Sequence, residues 1–477
     1  MTALRARDMH RFEASGSSFA YLVPSAAVFA LDETAQAVLG ALDRGPLTAD
    51  DLERELLGRI EPAALHETLR ELVRVRAIGA DAPEPKAPKA LPMRPFPLQT
   101  LVLNVTNQCN LSCAYCYEYG EDRIPGAATE GSRFMSEETA RAAVDFMLKE
   151  SGDNRVAHLT FFGGETLLNL PVLKKAIAYA RERGEALGKT VDFSLTTNAT
   201  LLRSDVIEYL AENDVGVTIS IDGPKETQDR FRVFKGGAGS YDVVLPKIKE
   251  LLKRHTRRPI GARVTLTSGD LDVKRIFHHL TEEIGFREVG FAPATTSGKR
   301  DYAIAGEGFE QVLEQFRALA REFLEYTLHG RPHGFSNVRD TLEEIHKGMS
   351  KPYPCGAGLG LMGVSTDGEV ALCHRFAGSK AHTLGSVVDG IDREAQARFL
   401  EASHIAEKTD CSRCWARPIC AGGCYHEAYT RYGDARRPNL HYCEWIRGWI
   451  HSCLEIYGEL AKQKPEFLRQ LDERVGP

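Results

Sequence analysis

The run Cys109-Asn-Leu-Ser-Cys113-Ala-Tyr-Cys116 decides how the rest of the chain is read. It places three thiols on one short loop with the spacing CxxxCxxC. Thiolate is the usual protein ligand of iron–sulfur clusters. Three thiolates hold three irons of a cubane and leave the fourth iron without a protein ligand. Such a cluster suits the binding of a small molecule as well as electron transfer. Tyr115, just before the last cysteine, offers a flat face to a nucleobase. Zinc competes for clustered cysteines, but structural zinc sites need four closed ligands, usually paired CxxC.

Outward from this loop, strand and helix signals alternate. Strands are expected at 100–105, 156–162, 190–196, 215–221, 260–266 and 288–292. Helices are expected near 136–150, 171–186, 204–213, 241–255, 272–284 and 307–328. Six strand–helix repeats predict a parallel sheet of βα units. Functional groups then collect at the C-terminal ends of the strands. The cysteine loop follows the first strand, Thr100-Leu-Val-Leu-Asn-Val-Thr106. The second strand ends in Phe161-Phe162-Gly163-Gly164-Glu165, whose glycines let the backbone approach a ligand closely and whose Glu165 adds an acceptor. The third ends in Ser194-Leu-Thr-Thr-Asn198, where Asn198 can bond a ribose hydroxyl. The fourth ends in Ser220-Ile-Asp-Gly223, followed by Asp229-Arg-Phe-Arg232. An arginine offers a bidentate fork to a carboxylate. Asp222 and Asp229 can equally be turn or helix-cap residues. Arg263 on the fifth strand either faces the site or lies at the rim of the core.

A chain of 477 residues is too long for one ordinary core, which predicts two or three domains. The formal net charge of −6 gives no electrostatic case for nucleic acid or an anionic membrane. No stretch has the apolar length of a membrane span, and the N-terminus lacks the apolar run of a signal peptide. The expected compartment is therefore the cytoplasm, where thiols stay reduced. The eleven cysteines then read as metal ligands before disulfides.

Residues 1–80 form a first unit. Phe19–Leu31 reads as two strands joined at Pro24-Ser25, followed by three helices. Asp32 caps the first helix, with Ala35, Val38, Leu39 and Leu42 inward. Thr48 caps the second, with Leu52 and Leu56 inward. The third runs from about Glu61 to Val75, with Leu65, Leu69, Leu72 and Val73 inward. Residues 81–98 carry closely spaced prolines and form an extended linker. Residues 99–330 hold the βα repeats, and residues 331–477 are cysteine-dense, closing on a helix near 443–463. This last part contains Cys355, then Gly368-Glu-Val-Ala-Leu-Cys373, Cys411-Ser-Arg-Cys414, Cys420, Cys424 and Cys443. Taken alone, Cys-x2-Cys-x5-Cys-x3-Cys also fits a zinc knuckle. Cys453 falls outside every motif.

At these residues the chain resembles radical S-adenosylmethionine (SAM) enzymes. The resemblance implies an α/β fold, a partial (βα)6 barrel. It also implies SAM and a [4Fe–4S] cluster on Cys109, Cys113 and Cys116, giving reductive SAM cleavage to a 5′-deoxyadenosyl radical. Gly163, Gly164 and Glu165 would hold the amino group of SAM, Asn198 the ribose, and Ser220 and Arg232 the carboxylate, with Tyr115 beside the cofactor. The C-terminal cysteines resemble the SPASM extension with two auxiliary [4Fe–4S] clusters, three in all. By that resemblance Cys411, Cys414, Cys420 and Cys443 close one cluster, and Cys355, Cys373 and Cys424 hold the other. The second lacks the cysteine that relatives carry just upstream of Cys355. Either its fourth iron is open, or Cys453 closes it. The hairpin and three helices resemble a PqqD-like winged-helix domain, which binds a peptide as an added strand. A generic winged helix is the alternative.

SPASM proteins generally modify peptides. Sulfatase maturases of this kind carry an Asp directly after the GxxxxC cysteine; here His374 stands in its place. The cysteine loop, length and N-terminal unit look closest to the maturases of quinohaemoprotein amine dehydrogenase. That resemblance implies thioether crosslinks between Cys sulfur and Asp or Glu methylene carbons. The substrate would be the small cysteine-rich γ subunit, and flavodoxin or ferredoxin would be the reductant. Asp222, Asp229 and His374 are the candidate bases for the thiol proton. Other readings are a SPASM enzyme making an α-carbon thioether or a carbon–carbon link, and a non-enzymatic cysteine-rich peptide adaptor.

Overall fold

The computed structural model describes residues 2–80, 96–118, 120–124 and 132–473. The N-terminal unit holds the expected hairpin and three helices, enlarged by three further strands. Its elements are β1 (Leu4–Ala6), β2 (Met9–Ala14), β3 (Ser17–Leu22), β4 (Ala27–Leu31), helices Glu33–Leu42, Ala49–Leu56 and Pro62–Arg74, and β5 (Ile78–Ala80). Strands β2, β3 and β4 form an antiparallel sheet, and β5 pairs with β1. The two polar-rich or very short strands β1 and β2 carry too little apolar alternation to be seen in the sequence. Asp32 caps as expected, accepting from Ala35 N at 2.7 Å. Thr48 and Asp51 make a reciprocal capping box. Val73, expected inward, is 47 % exposed. Leu65, Leu69 and Leu72 already complete the buried stripe of that helix, and Val73 is turned a further 100° from it.

Most of the linker, residues 81–95, lies outside the described residues. Beyond it run six parallel strands: β6 (Thr100–Asn104), β7 (Val156–Phe162), β8 (Thr190–Thr197), β9 (Gly216–Ser220), β10 (Gly261–Leu266) and β11 (Glu288–Pro293). They lie side by side in chain order. Helices link them, as parallel pairing requires. The expected helix near 272–284 is α-helical over Val273–His278 and π-helical over His279–Ile284, ending at Gly285 in the left-handed region. Along β10, Ala262, Val264 and Leu266 enter the main core while Arg263 is exposed between them. This is the period-two alternation of a sheet with a lumen on one face.

The barrel does not close on itself. β11 ends the sheet, and β6 pairs on its free side with β12 (Leu361–Val364) in parallel, Leu361 opposite Thr100 and Val364 opposite Leu103. Three antiparallel strands continue it: β13 (Glu369–Ala371), β14 (Thr383–Ser386) and β15 (Gly390–Ile391). The cysteine-dense part is thus hydrogen-bonded into the same ten-stranded sheet. Gly363 lets the next turn cross β12, because a Cβ there would fall 2.4 Å from His374 N.

Helix Cys443–Gln463 packs Trp445, Trp449, Cys453, Ile456 and Leu460 into the core. It does not close the chain, contrary to expectation. Helix Pro465–Glu473 follows it, Pro465 being suited to a helix start. The long helix also receives the N-terminal sheet. His10 stacks on Trp415 with ring centres 3.7 Å apart and meets His451 Nδ1 at 2.9 Å. Gly458 makes room for this contact, since a Cβ there would lie 2.7 Å from Ala14 Cβ. Among the described residues no helix is long and apolar enough to cross a membrane.

Candidate active site and thiol sets

The cysteine loop leaves the C-terminal end of β6 and is clamped by its neighbours. Gly164 N donates to Thr106 O and Glu165 N to Gln108 O, both at 2.9 Å. A Cβ on Gly163 would fall 2.3 Å from Thr106 O, and one on Gly164 2.1 Å from Gln108 O. The two glycines line the cavity, yet their first service is the approach of one backbone to another. At the other end of the loop, Asp122 accepts from Thr296 Oγ1 and Ser297 N, both at 2.8 Å, and from Arg300 Nε at 2.9 Å. Nothing in the motif spacing signalled this anchor.

The mouth and lumen of the barrel enclose a cavity of about 590 Å³. Cys109, Cys113, Tyr115 and Cys116 border it, with Asn198, Ser220 and Arg232 on the following strands and His374 and Arg375 across from them. Asn198 Nδ2 donates to Asn110 Oδ1 at 3.1 Å and points to Cys109 Sγ at 3.8 Å. The Glu165 carboxylate turns away from the cavity, against the expectation that it meets a ligand. It accepts from Thr197 Oγ1 at 2.6 Å, Asn198 N at 2.8 Å and Leu167 N at 3.0 Å. Burial nevertheless keeps its pKa raised.

Two of the three candidate bases have structural duties. Asp222 Oδ2 pairs with Arg232 Nε at 2.9 Å, the side chains being 4 % and 9 % exposed. Tyr115 Oη also donates to Asp222, and Thr265 N donates to its Oδ1 at 3.0 Å. Asp222 does not border the cavity; it orients Arg232 and Tyr115, which do. Asp229 accepts from Tyr241 N at 2.8 Å and caps the start of helix Tyr241–Arg254. His374 remains in the cavity wall, its ring 4.6 Å from Phe162. Burial, then the charge of Arg375, pushes its pKa down to about 3, so the ring is neutral at pH 7. Its Nδ1 is buried with no hydrogen-bond partner among the described residues. Arg375 went unnoticed in the sequence. It lies over the Tyr117 ring at 4.6 Å and donates to Thr295 Oγ1 at 2.9 Å.

The ten motif cysteines fall into three neighbourhoods. Burial pushes Cys109 up to about 11 and Cys113 up to about 12, and the Cys116 thiol adds to both. Burial pushes Cys373 up to about 12, with Cys424 and Cys355 adding. It pushes Cys411 up to about 11, with Cys420, Cys414 and Cys443 adding and Lys408 opposing. Cys453 belongs to none of these; it is fully buried in the core near Thr341. Among the described residues no three His, Cys, Asp or Glu side chains are grouped to hold a single metal ion. Thiolates of a cubane bind different irons and stand wider apart than ligands of one ion.

The donors fit iron–sulfur clusters on a second count. Lys408 is 4 % exposed, bonded through Nζ to Ala421 O at 3.2 Å, and has no carboxylate partner among the described residues. Burial lowers its pKa, while Cys411, Cys420 and Cys355 raise it. A buried ammonium needs a nearby anion, and metal-bound thiolates are anionic.

Residues 103–269 match the family model described as the radical SAM superfamily. The chain carries a radical SAM domain and is an enzyme of that superfamily. It is 28 % identical over 406 residues to a serine-type anaerobic sulfatase-maturating enzyme of Bacteroides thetaiotaomicron, covering 80 % of this chain and 95 % of that one. A cysteine-type anaerobic sulfatase-maturating enzyme of Clostridium novyi is 22 % identical, over 76 % of this chain and 97 % of its own. The fold matches anSMEcpe with bound AdoMet at TM-score 0.65 and 23 % identity, covering 76 % of this chain and 99 % of that one. Streptococcus suis SuiB bound to precursor peptide SuiA matches at TM-score 0.50 and 14 % identity, covering 92 % of this chain and all of that one.

Proposed function

We propose that this enzyme modifies a polypeptide, forming thioether crosslinks between Cys sulfur and methylene carbons of Asp or Glu. The proposed substrate is a small cysteine-rich polypeptide of the kind found as the γ subunit of quinohaemoprotein amine dehydrogenase. The observation that carries the reading is the shared cavity. The CxxxCxxC loop forms one wall, and His374 and Arg375, which follow Cys373, form the other. A methylene C–H is too weakly acidic for a protein base, and SAM on a reduced [4Fe–4S] cluster supplies the hydrogen-abstracting radical when bound. Gly163, Gly164, Asn198, Ser220 and Arg232 are the residues proposed to hold SAM, with Arg232 held in place by Asp222. Cys355, Cys373 and Cys424 are proposed to carry an auxiliary cluster with one open iron for the substrate thiolate, because Cys453 is packed elsewhere. Cys411, Cys414, Cys420 and Cys443 are proposed to close a third cluster. Holding sulfur beside carbon supplies the proximity term, about 7–11 kcal/mol in ideal cases. The proposed modules are the peptide-binding unit 1–80, the barrel 99–330 and the cluster-bearing part 331–477, acting in the cytoplasm with flavodoxin or ferredoxin.

A second reading, sulfatase maturation, is favoured by the named relatives. His374 standing where those maturases carry an acid speaks against it. Incubating the reduced enzyme with SAM and the γ-type polypeptide separates the two. Each crosslink removes two hydrogens from the product mass and one alkylatable thiol. Unchanged mass and thiol count, with 5′-deoxyadenosine still released, excludes this substrate. Conversion of a sulfatase-derived Ser or Cys peptide instead establishes the second reading.

A further inference from the structure

The lumen holds cations that SAM binding does not account for. Arg263, at the middle of β10, is exposed into the cavity and has no ion pair or hydrogen bond among the described residues. Gly290 on the neighbouring strand leaves its guanidinium room, since a Cβ there would fall 2.8 Å from Arg263 Nη1. Arg375 faces the same space, and its charge disfavours that of Arg263; it donates to Thr295 Oγ1 at 2.9 Å, with burial opposing its own charge and Cys424 and Cys373 favouring it. The other lumen cations are committed: Arg232 to Asp222 at 2.9 Å, and Arg339 to Glu288 at 2.6 Å. Asp340 lies in the same wall, nearest Arg339 at 3.7 Å and beyond ion-pair distance of Arg263. Arg263 thus stands without a close partner beside a second cation in a half-buried lumen, an arrangement that favours an incoming anion. An arginine pair presents planar forks, which match a carboxylate better than a point charge does.

We infer that Arg263 and Arg375 form a carboxylate-binding subsite of the lumen, distinct from the Arg232 site, which receives the acidic side chain of the polypeptide substrate. The inference rests on the polypeptide reading above and adds how the reacting residue is chosen. Arg375 follows the cysteine of the second thiol set by two positions, so a carboxylate held there lies on the same side of the lumen as the proposed thiolate site. An Asp or Glu is then anchored by its carboxylate while its methylene faces the cavity, and Asn or Gln is not.

The test uses the anaerobic, cluster-loaded, unreduced full chain with SAM present throughout, so that Arg232 is covered. Arginines are modified with p-hydroxyphenylglyoxal, and the rate at Arg263 is read by peptide mass spectrometry. Protection follows 1 + [L]/Kd, so glutarate at four times its Kd should slow modification of Arg263 about fivefold, while the uncharged glutaramide leaves the rate unchanged. Arg263→Gln should abolish the protection that glutarate gives to Arg375. Equal effects of glutarate and glutaramide overturn the inference. So does blockage of Arg263 by SAM alone, which would assign the arginine to the cofactor. Neither outcome touches the crosslinking reading, which the mass and thiol count of the product decide separately.

Discussion

Gly164 lies so close to Gln108 that a single added carbon would fall 2.1 Å from its carbonyl oxygen. The neighbour is backbone and belongs to the cysteine loop, so it cannot swing aside as a side chain would. Gly164→Ala should therefore displace the loop, costing about 1–3 kcal/mol as overpacking does. The expected outcome is loss of iron from the CxxxCxxC set with the other sets retained. Iron counting and the SAM-induced change in the electron paramagnetic resonance signal check it.

Asp222 and Asp229 should part company on mutation. Asp222→Ala leaves Arg232 buried and unpaired, and removing one partner of such a pair costs about 3–5 kcal/mol. Denaturant unfolding should register that loss, together with weakened SAM binding. Asp229→Ala should cost about 1 kcal/mol, as a lost helix cap does, and leave SAM cleavage unchanged. A pH–rate profile that loses a limb in Asp229→Ala would restore it as a base.

Cys453→Ala should keep the full complement of iron and sulfide. Cys355→Ala and Cys373→Ala should each lower it. The difference follows from position, Cys453 being sealed in the core beside Thr341 while the other two adjoin Cys424. Loss of iron from Cys453→Ala would make it the fourth ligand.

Contact between the N-terminal sheet and the long helix should weaken in mild acid. Burial, and then the charge of His451, lowers the His10 pKa from 6.5 to about 4. The released state therefore binds more protons between those values. The stabilisation is complete above about pH 6.5 and is lost as pH falls toward 4. The groups around His10 are Trp415 and His451, with the Asp8–Arg417 pair nearby. Limited proteolysis of the 81–98 segment at pH 7.5 and 5 measures the change. His10→Phe should flatten it.

The barrel was legible because each of its strands carries its own apolar run and each helix its own stripe. All six strands fall within two residues of where the sequence puts them. The CxxxCxxC loop was equally plain from its spacing, whereas the division of the other seven cysteines came only from the resemblance, Cys355, Cys373 and Cys424 being 18 to 69 positions apart. What escaped depends on partners distant in the chain. β12 is four residues long and is recognisable only once β6 lies beside it. Strand β2 sets His10 and Arg11 side by side and breaks the apolar alternation, so its buried face shows only against Trp415 and Gly458. The duty of a carboxylate likewise hangs on three-dimensional neighbours. Asp222 and Asp229 look alike in sequence, yet one meets an arginine and the other a helix start. Arg263 and Arg375 are 112 positions apart, and only the folded sheet brings both to the lining of one cavity.

The parallel pairing of β12 with β6 fixes a gauge. β6 launches the CxxxCxxC loop, and β12 with β13 launches Cys373, so one backbone ladder sets the distance between the two. Side-chain substitutions around the cavity can retune grip and charge but cannot lengthen that span. On the proposed reading, a polypeptide substrate must fold its own two reacting atoms to suit a ruler that the enzyme does not adjust.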